Sequence, residues 1–522
     1  MINPKYFFVF LYTLSNLSYS QQLNEKVLKY QTSIEDFKKN LVDLAKTNQA
    51  LPDSILFRKN YPTFDIMKDN SNNSLTSDDQ NQILSQLQNL AKKSKQDSIL
   101  SSSKIGISLD LIRSKKLENK FCKDLPKGGM LHVHPWGTLD RETLNLILSK
   151  QNPLIDLSQI KNIAEMGLDE NTDGKIDSSL PKAATLNTLS ILLKSKKVTE
   201  SKIRFQDLTE TEKKIFMDMF FMTSTSTQFS EFMGVFSMIF NTIFKKDSFS
   251  DPLFKVDEAM WSAFMSRAQN QKISYIEVTQ TVNPKNGIDK FVKFKQAMKN
   301  KYNITVNTIA AFDRRQGSQK IYSQMKDFLN LPSTDAIVGI NLVANEDLHP
   351  AKDYSAAYSL FTTYRLSTRP QLHATIHAGE TGDIYNVRDA LAMGSERIGH
   401  GVLLMKDLPT LNYVRNQKIP IEINLTSNLI LNVANSIAEH PFLFYHRIGI
   451  PVSISTDDEG IFNTTMSKEC ELMISKTDIN YTELKQIIIN SISTSFASES
   501  EKQMLLKQLL LDLTQFESIY KH

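Results

Sequence analysis

The chain has 522 residues, 41% of them hydrophobic and 23% charged, with a formal net charge of +4 at pH 7. That is the balance of a soluble globular protein, and without a long basic block it gives no reason to expect nucleic acid as a partner. Its two cysteines, Cys122 and Cys470, are too few for a disulfide-stapled scaffold or a Cys-rich zinc site; whether they pair depends on a distance the sequence does not contain.

The first segment reads MINPKYFFVFLYTLSNLSYSQQ. Lys5 precedes an apolar run from Tyr6 to Leu17, and the small residues of SYS before Gln21 predict an export signal, residues 1–20, cleaved near Ser20. The run is short for a transmembrane helix, and no later stretch is long and apolar enough to span a bilayer. The mature chain is therefore expected to be exported, secreted or periplasmic, and free of the membrane. Residues 21–120 are rich in Lys, Gln, Leu and Ser. IEDFKKNLVDLAK and QNQILSQLQNLAKK carry helical apolar spacing on either side of a polar loop. They predict a helical N-terminal extension, with the remaining domain at 121–522.

From residue 128 the texture changes to short β-branched runs. They are GGMLHVHP (128–135), ISYIEVTQTV (273–282), ITVNTIAAF (304–312), AIVGINLVAN (336–345), LHATIHAGE (372–380), RIGHGVLLM (397–405), PIEINLTSN (420–428) and PVSISTDD (451–458). Eight strands with helical patterns between most of them predict a (β/α)8 TIM barrel, with its active site at the C-terminal strand ends. About 135 residues separate the first two strands, too many for a structureless loop. The stretches TETEKKIFMDMFFM and FSEFMGVFSMIFN predict a helical insertion. There Phe229, Phe232, Phe236 and Phe240 share a helix face, either as core or as an apolar wall over a pocket. DENTDGKID, Asp169–Asp177, has the first nine positions of a calcium loop, but Leu180 stands where a bidentate Glu is required, so a polar turn is the default reading.

His132 and His134 lie two apart on a strand and so project from one face. The fifth run ends in His377 and Glu380, the sixth in His400, the eighth in Asp457 and Asp458. Three imidazoles and a carboxylate suit one zinc ion per chain with a position left for water. His373 and Glu277 read as structural.

The ordered set LHVH, HAGETG…ERIGHG and STDD closely resembles the adenosine deaminase family of the amidohydrolase superfamily. LPKGGMLHVH, VGINLVANED and NLTSN resemble its secreted, growth-factor-related branch, which also has an export signal and a helical extension. The barrel part of the resemblance spans roughly residues 120–500. It implies that His132, His134, His377 and Asp457 bind the metal. Glu380 would then protonate purine N1, and His400 would orient the attacking hydroxide. Asp458 would meet N7, and Ala344, where the family usually has Gly, would offer its backbone N–H to N3. It also implies a homodimer through the extension.

The sequence departs from the family after HVH, where an acidic residue usually holds the ribose 5′-hydroxyl. Here Pro135 and Trp136 follow, with Trp136 a candidate to stack on sugar or base and Asp140 a distant substitute. The expected activity is hydrolytic deamination of a small purine nucleoside, adenosine and 2′-deoxyadenosine, to the 6-oxo purine and ammonia. Two alternatives stay open: a related amidohydrolase acting on another aminopurine, and a secreted binding or signalling protein on the same barrel.

Overall fold

The computed structural model describes residues 23–36, 38, 39, 43, 76–156, 202–222, 229–243, 255–283 and 287–521; the export signal and the Asp169–Asp177 loop lie outside them. The strands, in chain order, are β1 (Gly128–Val133), β2 (Leu154–Asp156), β3 (Lys202–Arg204), β4 (Ile273–Gln280) and β5 (Thr305–Asp313). Then come β6 (Ile337–Val343), β7 (His373–Ala378), β8 (Arg397–His400), β9 (Ile421–Ile423) and β10 (Val452–Ile454). β1 and β4 to β10 form one parallel sheet in sequence order.

A bridge from Val133 to Asp457 brings the last strand back to the first. There the Asp457 N–H meets the His132 carbonyl at 3.1 Å, and the His134 N–H meets the Asp457 carbonyl at 3.2 Å. The fold is a nearly closed (β/α)8 barrel, and all eight β-branched runs of the sequence are its strands. Most runs extend a few residues past their strands at the C-terminal end, where the functional residues gather.

The barrel interior holds a polar layer rather than apolar residues alone. Arg397 of β8 sits between two buried carboxylates, 2.5 Å from Glu277 of β4 and 2.5 Å from Glu422 of β9. Tyr275 donates to Glu277 at 2.7 Å, and Thr375 to Glu422 at 2.9 Å. The Arg397 guanidinium also lies 3.6 Å from the centre of the Phe496 ring. Burial works against ionisation of Glu422, but Arg397 and His132 outweigh it and hold its pKa near 2. Glu277 is thus structural, as its place in the sequence suggests. His373 is structural too: it stacks on Phe496 and pairs with Glu396.

In the N-terminal region a helix runs over Ser77–Ile105. Thr76 and Asp79 form a capping box at its start, and Gly106, with φ 81°, ends it in the left-handed conformation. Ile83, Leu87 and Ala91, spaced by four, bury one face together with Leu23 and Ile34 in the same core as the barrel helices. Cys122, in helix Glu118–Asp124, is bonded to Cys470, in helix Met466–Lys476, with Cα atoms 5.8 Å apart.

The insertion after β1 contains helices Arg141–Gln151, Glu210–Asp218, Phe229–Met238 and Val256–Asn270. It also contains an antiparallel pair, β2 with β3, which helical periodicity alone does not anticipate because each strand has only three residues. These elements share a second core that includes Phe216, Phe220, Phe232, Ile461 and Phe462. Among the described residues no helix is long and apolar enough to cross a membrane.

Candidate active site

The C-terminal ends of β1, β7, β8 and β10 converge on one point. His132 Nε2 and His134 Nε2 lie 3.5 and 3.4 Å from Asp457 Oδ1. The His132 ring centre is 4.4 Å from that of His377 and 4.7 Å from that of His400. Donor atoms of His132, His377, His400 and Asp457 all lie within 4.8 Å of one another, and His134, Asp457 and Asp458 form an overlapping group. The structure thus brings together all four predicted ligands, and His400 with them. Two of these residues sit in the left-handed backbone region, His400 at φ 67° and Asp457 at φ 58°. Strain of this kind collects where a fold must hold side chains against a reacting centre.

The donor set fits a metal ion. Ligand atoms at about 2.0–2.1 Å in a tetrahedron lie about 3.4 Å apart, which is the spacing of both His Nε2 atoms from Asp457 Oδ1. The far side of three of the four ligands is held. His132 Nδ1 meets Glu422 at 2.8 Å, His377 Nδ1 meets the Asn341 side-chain oxygen at 3.0 Å, and Ser427 donates to Asp457 Oδ2 at 2.8 Å. Each such bond aims the other ligand atom inward. His132 Nε2 is buried and makes no hydrogen bond among the described residues.

Charge at the site is set by burial and close neighbours. Burial disfavours the His132 cation, but Asp457 and Glu422 outweigh it and bring its pKa up to about 10. Two carboxylates flanking one ring call for a cation, either a proton or a metal. Burial takes His134 down to about 4 and His377 well below its usual value. Burial, with the charges of Asp457 and Glu346, pushes the Glu380 carboxyl well above the carboxylate range, and burial with Asp457 does the same to Asp458.

Several positions that the sequence does not single out hold this machinery. The carboxylate of Glu346 receives the N–H groups of Gly379 at 2.8 Å and Glu380 at 3.1 Å, which fixes the loop bearing Glu380. Buried Arg314 donates to the His377 carbonyl at 2.6 Å. A Cβ on Gly137 would fall 1.7 Å from Asp458 Oδ1, so no larger residue fits beneath that carboxylate. In the sequence these are a Glu, an Arg and a Gly to which spacing gives no role.

A cavity of about 400 Å³ opens from the cluster. His134, His377, Glu380, Asp457 and Asp458 line its inner end. Phe229, Phe232, Met233 and Phe236 of the insertion form an apolar wall, while Phe232 also stacks on Phe462, so this helix face is both core and wall. The Phe240 side chain lies outside the described residues. Asp313, Arg315, Gln316, Gln324 and Asp327 make the outer end polar.

Ala344 lines the cavity. Its φ of 79° is glycine-like and costs about 1–2 kcal/mol for a residue with a Cβ. Ala344→Gly is therefore expected to raise stability by about 0.5–1 kcal/mol after the extra unfolded-chain entropy of Gly is subtracted. Denaturant unfolding measures this, and a loss of stability would mean that packing of the methyl outweighs its strain.

Trp136, in contrast, does not line the cavity. The 3₁₀ turn Pro135–Thr138 carries it away from β1, and its half-buried ring packs against the second core. Asp140 caps helix Arg141–Gln151 and pairs with Arg267 at 2.8 Å, so it too is spent on structure.

The family model for adenosine deaminase matches residues 200–511, more than half of the chain. The chain belongs to the adenosine deaminase family. It is 28% identical to an adenosine deaminase of Clostridium perfringens over 256 residues, which is 47% of this chain and 75% of the relative. An adenosine deaminase of Enterococcus faecalis is 32% identical over 198 residues, 38% of this chain and 56% of the relative.

Among solved structures, adenine deaminase from Arthrobacter aurescens superposes with a TM-score of 0.53 at 18% identity, covering 74% of this chain and 99% of that one. The Arabidopsis N6-mAMP deaminase gives 0.50 at 18% identity, covering 75% and 99%. These two show the shared barrel. The family match begins downstream of β1, so it is the geometry that joins His132 and His134 to the part of the site that the match spans. The protein is a metal-dependent hydrolase of the deaminase type.

Proposed function

We propose that the chain is an exported, zinc-dependent deaminase that converts adenosine and 2′-deoxyadenosine to inosine and 2′-deoxyinosine with release of ammonia. The observation that carries this reading is the convergence of His132, His134, His377 and Asp457 on one point, with Glu380 and Asp458 at the inner end of the same cavity. Those four residues would hold one zinc ion per chain, which would supply the acidity that makes a water nucleophilic near neutral pH.

The remaining chemistry belongs to side chains. Addition at C6 breaks the aromatic ring unless N1 gains a proton. Glu380 is a carboxyl kept protonated by burial and by neighbouring negative charge, which suits it to deliver that proton. His400 stands beside the attacking oxygen, where charge develops. Asp458, also held in its acid form, donates to N7, and the Ala344 N–H meets N3. Collapse at C6 passes the proton of the added hydroxyl to the amino group, which leaves as ammonia, and the proton lost by the attacking water restores Glu380.

Ribose recognition without an acid after the HxH pair falls to the polar outer end, where Asp313, Gln316, Gln324 and Asp327 offer partners for hydroxyl groups. The position of Trp136, packed away from the cavity, favours a second reading in which another aminopurine is the substrate. Export is supported by the Cys122–Cys470 bond, since such bonds persist in oxidising compartments. A homodimer through the extension is supported by Ile99 and Leu100, which stay exposed on the helix Ser77–Ile105. A monomer on sizing would remove it.

The test is ammonia release by the purified chain, given adenosine, 2′-deoxyadenosine, adenine and AMP separately, before and after zinc chelation. Release from the two nucleosides that stops on chelation and returns with zinc is the expected result. Release from adenine or AMP alone would select the second reading. No release from any, with zinc bound, would overturn deamination of these purines.

A further inference from the structure

The hydrogen bonds behind His400 have a direction. They begin at a group whose role is fixed: the backbone N–H of Phe442 donates to His440 Nδ1 at 3.2 Å. That nitrogen must hold a lone pair, so the His440 ring is neutral and its proton is on Nε2. Burial favours the same state, taking this imidazole down to about 3. His440 Nε2 lies 3.2 Å from the Asn428 side-chain oxygen, which accepts. The Asn428 amide is thereby oriented, and its NH₂ faces His400 Nδ1 at 3.0 Å. Asn424 turns a second amide nitrogen to the same atom at 3.4 Å. An atom that receives N–H groups cannot itself carry the proton.

We infer that His440 and Asn428 are positioning residues that hold His400 with its proton on Nε2, so that the ring offers an N–H donor to the reaction centre. His400 Nε2 is buried and has no hydrogen-bond partner among the described residues, as a donor reserved for a reacting atom would be. His440, Asn428 and His400 are all buried, so water does not offer His400 Nδ1 an alternative partner.

One neighbour stands against the chain. Glu380 Oε1 is 3.3 Å from His400 Nδ1. If Nδ1 donated to it, Asn428 would have to turn its oxygen to His400 and its NH₂ to His440. His440 Nε2 would then need a lone pair, and Nδ1 would carry a proton opposite the Phe442 N–H. The chain excludes this, and Glu380 Oε1 makes no hydrogen bond among the described residues. Donor status at Nε2 also separates His400 from the metal ligands, although it lies within the same cluster.

This inference rests on the deaminase reading for its kinetic consequence but not for its structural one, and the experiment separates the two. In the zinc-loaded full chain with ¹⁵N-labelled histidine, the His400 signals, assigned by their loss in His400→Gln, are expected to show an unprotonated Nδ1 and a protonated Nε2. Asn428→Asp replaces the donor by an acceptor and should move the proton to Nδ1. Zinc content and KM should hold while kcat falls about 100-fold. His440→Gln keeps an N–H for Asn428 and should stay within about tenfold of the parent kcat.

A native His400 protonated on Nδ1 would overturn the inference outright, whether or not any variant folds. So would an Asn428→Asp enzyme whose kcat changes less than about threefold. Absence of turnover on every purine with the native tautomer as expected would defeat the deaminase reading and leave this one standing.

Discussion

Glu380→Gln is expected to lower kcat for ammonia release by about 10²–10⁴-fold, with zinc content and KM little changed. Gln has the shape of Glu but cannot supply an acidic proton to N1. The loop should keep its course, because Glu346 grips the backbone N–H groups of Gly379 and Glu380 rather than the Glu380 side chain. Burial and the charges of Asp457 and Glu346 push the native carboxyl well above the usual carboxylate range, so the substitution removes the acid that the proposed chemistry uses. Steady-state kinetics with metal analysis on the same sample checks this. Activity within about threefold of the parent would place the proton donor elsewhere.

Arg397→Leu is expected to destabilise the fold by about 3–5 kcal/mol, because it leaves Glu277 and Glu422 without their cation in the barrel interior. Both carboxylates are fully buried, and the guanidinium is their shared partner. The same change should weaken zinc retention, since Glu422 aims His132 through its 2.8 Å contact with Nδ1. Denaturant unfolding and zinc titration measure the two effects. A stability loss below about 1 kcal/mol would show that the carboxylates find other partners or take up protons without cost.

Much of this was legible in the sequence because it is local. Strands such as Val452–Ile454 and Ile421–Ile423 announce themselves by β-branched, fully buried runs, and the parity of His132 and His134 follows from the pleat. The ligand cluster was legible because its members stand at the ends of those runs. What the sequence could not carry is long-range and directional. Arg397 finds Glu277 from 120 positions away, and His440 speaks to His400 only through Asn428. Trp136 packs on the second core, away from the cavity, for a related reason. Its fate depends on where the turn after β1 points and on a second core from a distant part of the insertion.

The Cys122–Cys470 bond joins positions 348 residues apart, so every strand lies on one covalent ring. A single proteolytic cut between Asp156 and Lys202 would leave that ring an open but continuous molecule, with β1 tethered beside its neighbours at high effective concentration. Reduction alone likewise leaves one polypeptide. Only the two injuries together detach the fragment that carries His132 and His134. The enzyme's tolerance of nicking is therefore conditional on the redox state of its surroundings.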